Sequence, residues 1–201
     1  MLAHAAIPFT AVTLGVTAGC SGDVLTAPDQ FAIRKAVLDQ PVTANALLRT
    51  TPIFFKQTAT ATIGREGGTL GLSEAGIEVV VPPGALVRPT RVSVTAIPGF
   101  LVAYEFQPHG TVFRTPLVVT QKLTNTLWMS DFDFFSSLLG LSSGTSLEAG
   151  YFADATQLDQ TNGTAQVNEV LPVVVDDTAQ TATFNVSHFS GYVIATGRDT
   201  K

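Results

Sequence analysis

Two stretches of the chain alternate strictly between polar and apolar residues: Arg91-Val92-Ser93-Val94-Thr95-Ala96 and Thr181-Ala182-Thr183-Phe184-Asn185-Val186. A period of two predicts β-strands with one wet face and one buried face. Ile77 to Val81 and Leu117 to Thr120 are more continuously apolar, as expected of inner strands. Turn chemistry separates these runs. In Pro82-Pro83-Gly84-Ala85, Pro83 presets φ and Gly84 supplies the positive φ of a type II turn. Asn162-Gly163 and Asp176-Asp177 read as hairpin tips. Val170-Leu171-Pro172-Val173-Val174-Val175 has a proline within the run, which assigns it to an edge or a bulge. From about Thr58 onwards the spacing fits roughly nine to eleven short strands with no helical stretch between them, so the fold class is all-β, a Greek-key β-sandwich.

The N-terminal pattern is different. Residues Leu2 to Val16 are mostly apolar or small and lead into Val16-Thr17-Ala18-Gly19-Cys20. This is the form of a bacterial lipoprotein signal, in which an apolar segment and small residues precede a cysteine that receives lipid. The run is too short, and too broken by Pro8, to span a bilayer core of about 30 Å comfortably. No Lys or Arg precedes it, and Thr17 stands where a leucine is usual. Asp29 to Asp39 is expected to form a short helix with Asp29 as N-cap, Phe31, Val37 and Leu38 as apolar contacts, and Pro41 ending it. Ile53-Phe54-Phe55 is expected to dock this extension on the main domain. The organisation read from the sequence is a signal or anchor over 1–20, an extension or tether over 21–58, and a β-sandwich over 59–197.

Charge narrows the function classes. Charged residues are 13 % of the 201, and the net charge is −5 with no Lys/Arg cluster. Nucleic-acid binding works largely by phosphate neutralisation and is disfavoured. With Cys20 as the only thiol and three histidines, a Cys/His zinc site is out of reach. Asp131 and Asp133 alternate as in a calcium loop but lack its glycine turn and distal glutamate. No P-loop, Rossmann fingerprint, nucleophile elbow or H-E-x-x-H is present, so neither a cofactor nor a metal nor an enzymatic activity is expected. His109 lies in a Pro-His-Gly turn and reads as exposed.

The turn and core residues resemble a known family. Gly67-Gly68-Thr69-Leu70, followed by Gly76-Ile77-Glu78-Val79-Val80-Val81-Pro82-Pro83-Gly84-Ala85-Leu86, is similar to the opening of the ZU5 domain. Tyr104-Glu105-Phe106-Gln107-Pro108-His109-Gly110-Thr111-Val112-Phe113 with Thr115-Pro116-Leu117 resembles its middle, and Ser187-His188-Phe189-Ser190-Gly191-Tyr192 its closing strand. The likeness runs from about Thr60 to Ala195. Such domains occur in ankyrins, netrin receptors and tight-junction scaffolds, and bacterial envelope proteins carry similar ones. The resemblance implies protein–protein attachment.

It also implies one chemical alternative. In some ZU5 relatives a His-Phe-Ser triplet cuts itself: the serine hydroxyl attacks the preceding carbonyl, and the histidine handles the proton. His188, Phe189 and Ser190 match that triplet. Simple alternation from Phe184 and Val186 instead puts His188 and Ser190 together on the inner face as a satisfied core pair.

Leu127 to Leu141 departs from the family pattern, within an aromatic-rich insertion over 127–146. Read as a helix, it lines Trp128, Phe132, Phe135 and Leu139 along one face, with Phe134 and Leu138 adding to the apolar cluster. This cluster is either a contact for a membrane surface or protein partner, or a cap on an open end of the sandwich. The function expected from the whole sequence is a non-catalytic, membrane-associated binding or structural protein of the bacterial envelope, on the periplasmic side or the cell surface. It would be lipid-anchored at Cys20 and attached to a protein partner, for instance as an extrinsic subunit of an integral transport, respiratory or photosynthetic complex. The alternatives are self-processing at Phe189–Ser190 and recognition of a cell-wall or carbohydrate polymer, for which one Trp and three Tyr give thin support.

Overall fold

A computed structural model describes residues 36–128 and 146–198, which form a β-sandwich. The larger sheet runs in the order β1 (Ala36–Ala46), β12 (Thr164–Pro172), β10 (Glu148–Phe152), β15 (Gly191–Arg198), β8 (Ala103–Gln107), β6 (Thr90–Ala96) and β3 (Gln57–Ile63), with the short β11 (Leu158–Asp159) on β12. The smaller sheet is β13 (Val174–Asp176), β14 (Thr181–His188), β9 (Val112–Lys122), β5 (Ile77–Val81) and β4 (Gly68–Leu72). A separate ribbon pairs β2 (Leu48–Ile53) with β7 (Gly99–Leu101). From β3 onwards the described strands number thirteen, more than the sequence spacing suggests, because β7, β11 and β13 are only two or three residues long; β1 and β2 precede that stretch.

Alternation places the core side chains as expected. Val92 and Val94 on β6, Val79 on β5, Val119 on β9, and Ala182, Phe184 and Val186 on β14 point into one core between the sheets. Each fully buried aliphatic or aromatic side chain there contributes about 1.5–3 kcal/mol. β15 carries apolar residues on both faces, and both are covered. Tyr192 and Ile194 enter the main core, while Val193 and Ala195 join a second cluster with Ala44, Leu101, Ala103, Phe152 and Val167. That second core exists because β1 pairs with both β12 and β15, curling one end of the large sheet onto itself.

The predicted turns are present. Gly84 has φ +79° and the Ala85 amide donates to the Pro82 carbonyl at 3.1 Å, the geometry of a type II turn. Gly163, φ +69°, closes the β11–β12 hairpin, and Asp176 begins the β13–β14 turn by accepting from the Ala179 amide. Pro172 marks the point where the chain leaves the large sheet for the edge strand β13.

The N-terminal reading needs correction. Ala36 to Asp39, taken as the end of a helix, belong to β1, and Pro41 lies within that strand where the register slips between Val37 and Val42. Pairing with β12 overrides a weak local helical preference, and the proline, which cannot donate to a ladder, falls in the irregularity. Residues 36–58, expected as tether, therefore carry β1, β2 and the start of β3, and the sandwich begins well before Ala59. Residues 1–35 lie outside the described residues, and with them Cys20 and the first part of the expected helix.

Candidate functional site

Phe54, Phe55 and Lys56 form the tip of the short link between β2 and β3. β2 ends at Ile53, so Phe54 and Phe55 lie beyond the strand, and no ladder turns either of them toward the core. Ile53 enters the main core, whereas Phe54 and Phe55 are 75 % and 83 % exposed. Of the run expected to dock the N-terminal extension on the main domain, Ile53 alone is buried. Phe100, on β7, is half-exposed, and Lys56 reaches Glu105 at 3.6 Å.

Beneath the tip is a cleft of about 370 Å3, walled by residues Arg49 to Phe55 on one side and by Gln57, Glu74 and Asn125 on the other. Its walls are tied together. The Thr50 amide donates to the Asn125 carbonyl at 3.0 Å, Asn125 Nδ2 donates to the Glu74 carbonyl at 3.4 Å, and Gln57 Nε2 donates to Glu74 Oε2 at 2.8 Å. The cleft thus combines a hydrogen-bonded polar frame with the side chains of Phe54 and Phe55.

The frame rests on a buried cation. Arg49 is 2 % exposed; its Nη1 donates to the Ala75 carbonyl at 3.0 Å and its Nη2 to the Tyr104 hydroxyl at 3.0 Å. The guanidinium carbon lies 5.3 Å from the centroid of the Tyr104 ring, within cation–π range. Among the described residues no carboxylate pairs with Arg49. Gln121 completes the cluster: Nε2 donates to the carbonyls of Ala75 and Lys122 at 3.1 and 2.8 Å, and Oε1 is close enough to accept from Tyr104. Burial pushes the Tyr104 hydroxyl above its ordinary pKa, and Arg49 opposes that shift only in part. The cluster joins β2, β8, β9 and the turn before β5, which sets the position of the ribbon.

The His-Phe-Ser triplet is placed differently from the alternation argument. β14 ends at His188, after a register irregularity against β9, and the period of two lapses there. Phe189 is the residue that enters the core, stacked on Phe106 at 5.9 Å and edge-on to Phe113 at 4.7 Å. The His188 ring is only partly covered and faces Glu169 (3.6 Å), the Tyr192 hydroxyl (3.4 Å) and the edge of Tyr151. His188 and Ser190 are thus not a pair: among the described residues no hydrogen bond joins them. The Phe189 carbonyl accepts from the Gly110 amide at 3.1 Å, and residues 188–190 show neither a positive φ nor a cis bond. Burial, with Glu169 and Tyr151 adding to it, holds the Tyr192 hydroxyl far above its usual range.

Of the aromatic insertion, only its root is described. Leu127 is exposed, and its amide donates to the Leu48 carbonyl at 2.8 Å. Trp128 is half-buried against the main core and does not project freely. Phe132, Phe134, Phe135, Leu138 and Leu139 lie outside the described residues, as do Asp131 and Asp133. His109 is exposed in its turn. Among the described residues no helix is long and apolar enough to cross a membrane, and no three His, Cys, Asp or Glu cluster as metal ligands would. The exposure of Phe54 and Phe55 does not follow from the sequence pattern, because both lie past the end of β2, where no periodicity sets which way a side chain faces.

Residues 59–97 match the family model described as the ZU5 domain. The match runs from β3 through β6 and includes the Gly67–Leu70 and Gly76–Leu86 segments, which supports a ZU5-like domain. Domains of this kind generally serve protein–protein interaction and are non-catalytic. No curated protein matches the chain.

Proposed function

We propose that the protein is a non-catalytic binding or structural protein of the bacterial envelope, tethered to the membrane by lipid on Cys20 and attached to a protein partner as an extrinsic subunit of a membrane complex. The observation that carries the attachment is the Phe54–Phe55 tip over its cleft. Two large aromatic side chains more than 70 % exposed in the link between β2 and β3 are unusual for a solvated surface, and aromatic residues dominate binding hot spots. The likeness to an interaction domain supports the same reading. The tether is supported by the sequence pattern around Cys20 alone.

The test is purification from native membranes of the wild-type chain and of the Phe54→Ser/Phe55→Ser variant. Both phenylalanines are exposed, so thermal stability is expected to change by no more than about 0.5 kcal/mol. The wild type is expected to recover its partner in stoichiometric amount, and the variant to lose it. Equal recovery by the two proteins removes the tip from the interface. Intact mass under denaturing conditions tests the tether: Cys20 to Lys201 plus lipid is expected, and an unlipidated chain starting at Met1 sinks it.

A further inference from the structure

Among the described residues, the large sheet is closed at one end and open at the other. β1 bridges β12 and β15, whereas β3, at the far end, pairs with β6 alone among the described residues. Open edges expose unpaired N–H and C=O groups, and proteins ordinarily guard them with charge, proline, bulges or extreme shortness. β13, an edge of the other sheet, is three residues long and ends on Asp176. β4, its opposite edge, is five residues long, and two of them are glycine. β3 has none of these guards. Gln57-Thr58-Ala59-Thr60-Ala61-Thr62-Ile63 contains no charge, no proline and no glycine, and its register against β6 is unbroken from Gln57↔Ala96 to Ile63↔Thr90.

The edge also has a symmetry. Thr58-Ala59-Thr60-Ala61-Thr62 reads identically in both directions. A two-fold axis through Thr60 would lay two copies antiparallel with Thr60 opposite Thr60, Ala59 opposite Ala61 and Thr58 opposite Thr62. Any two-fold strand pair sets residue i against j and j against i, and here the palindrome makes each such pair like with like, threonine on threonine and alanine on alanine. Thr–Thr pairs are favourable across antiparallel strands, and β3 already makes one: the hydroxyls of Thr58 and Thr95 on β6 are 2.9 Å apart. Thr58, Thr60 and Thr62 are exposed, while Ala59 and Ala61 are half-buried against the core, so the added strand meets no bulky side chain.

We propose that the β3 edge is a homodimer interface in which β3 of two copies pair antiparallel about Thr60, merging the two large sheets into one. The contact is backbone-driven and small, so the dimer forms in a concentration-dependent way.

Sedimentation velocity of the full chain over a concentration series, with the Thr60→Lys and Thr60→Glu variants, tests this. Thr60 is exposed, so both variants keep the wild-type far-ultraviolet spectrum and melting temperature. The wild type is expected to shift from monomer to dimer with concentration. Each variant alone places like charges opposite one another at the axis and is expected to stay monomeric. An equimolar mixture sets lysine against glutamate and is expected to restore the dimer. Thr161→Lys, a charge change on the exposed β11–β12 hairpin, is expected to leave dimerisation untouched. A wild type that stays monomeric throughout, a Thr60→Lys variant that dimerises like wild type, a mixture that stays monomeric, or loss of the dimer in Thr161→Lys each overturns the proposal.

Discussion

Arg49 is a buried cation balanced by dipoles and a ring face, with no acid beside it among the described residues. Ionised groups are costly to desolvate, so the acceptors around this guanidinium matter more than their number suggests. Replacing Tyr104 with phenylalanine keeps the ring and removes only the hydroxyl. That leaves a charged donor without its acceptor, a defect that costs about 1–3 kcal/mol. Chemical denaturation is expected to show that loss for Tyr104→Phe, and the Arg49→Met/Tyr104→Phe double variant is expected to lose less than the sum of the two singles. Strict additivity would mean that the two groups do not interact. Nothing in Leu48-Arg49-Thr50 advertises this role in the sequence. A lone arginine among polar residues reads as solvated, and its acceptors lie 26 and 55 residues further along the chain. Side-chain placement of this kind depends on which strands meet, and local pattern does not encode that.

At the scale of elements, the turns were legible because their chemistry is local. Pro83-Gly84 and Asn162-Gly163 fix backbone angles whatever surrounds them. Strands with strict alternation were legible for the same reason. Prolines were harder to place: Pro41 and Pro116 both sit where a register slips, the first against β12 and the second against β14, and a slip is a property of two strands together. His188 illustrates the same limit, since alternation along β14 held through Val186 and failed once the strand ended. Two glycines separate conformational from packing demands. Gly84 has φ +79° with open space where a side chain would go, so Gly84→Ala is expected to cost about 1–2 kcal/mol through backbone strain alone. Gly67 has φ +76°, and a methyl there would also fall against the Val81 carbonyl and the Pro82–Pro83 backbone. Gly67→Ala is therefore expected to melt clearly below Gly84→Ala in calorimetry, and equal melting temperatures would mean that the β4–β5 backbone yields freely.

At the scale of the molecule, the sandwich expected from the strand pattern is present, but its boundary was drawn too late. Residues 36–58 show no strict alternation of polar and apolar positions, and their apolar residues are scattered, so the pattern alone reads as a tether. The structure uses those few at high-value positions: Ala44 and Ala46 line the second core, Leu47 and Ile53 enter the main one, and Arg49 braces the ribbon. Removing this stretch would uncover Ala103, Val167 and Val193 on the large sheet and Leu101 on β7. Loss of a single buried Leu or Ile side chain down to alanine size costs about 2–5 kcal/mol. Leu47 and Ile53 together thus reach a large share of the roughly 5–15 kcal/mol that holds an ordinary domain folded. A chain starting at Thr58, the boundary drawn from the pattern alone, is accordingly expected to show no cooperative thermal transition. A chain starting at Ile33, just before β1, is expected to retain one. If both unfold at the same temperature, β1 and β2 are accessory strands, and the sandwich is held by the main core without the closure that they provide.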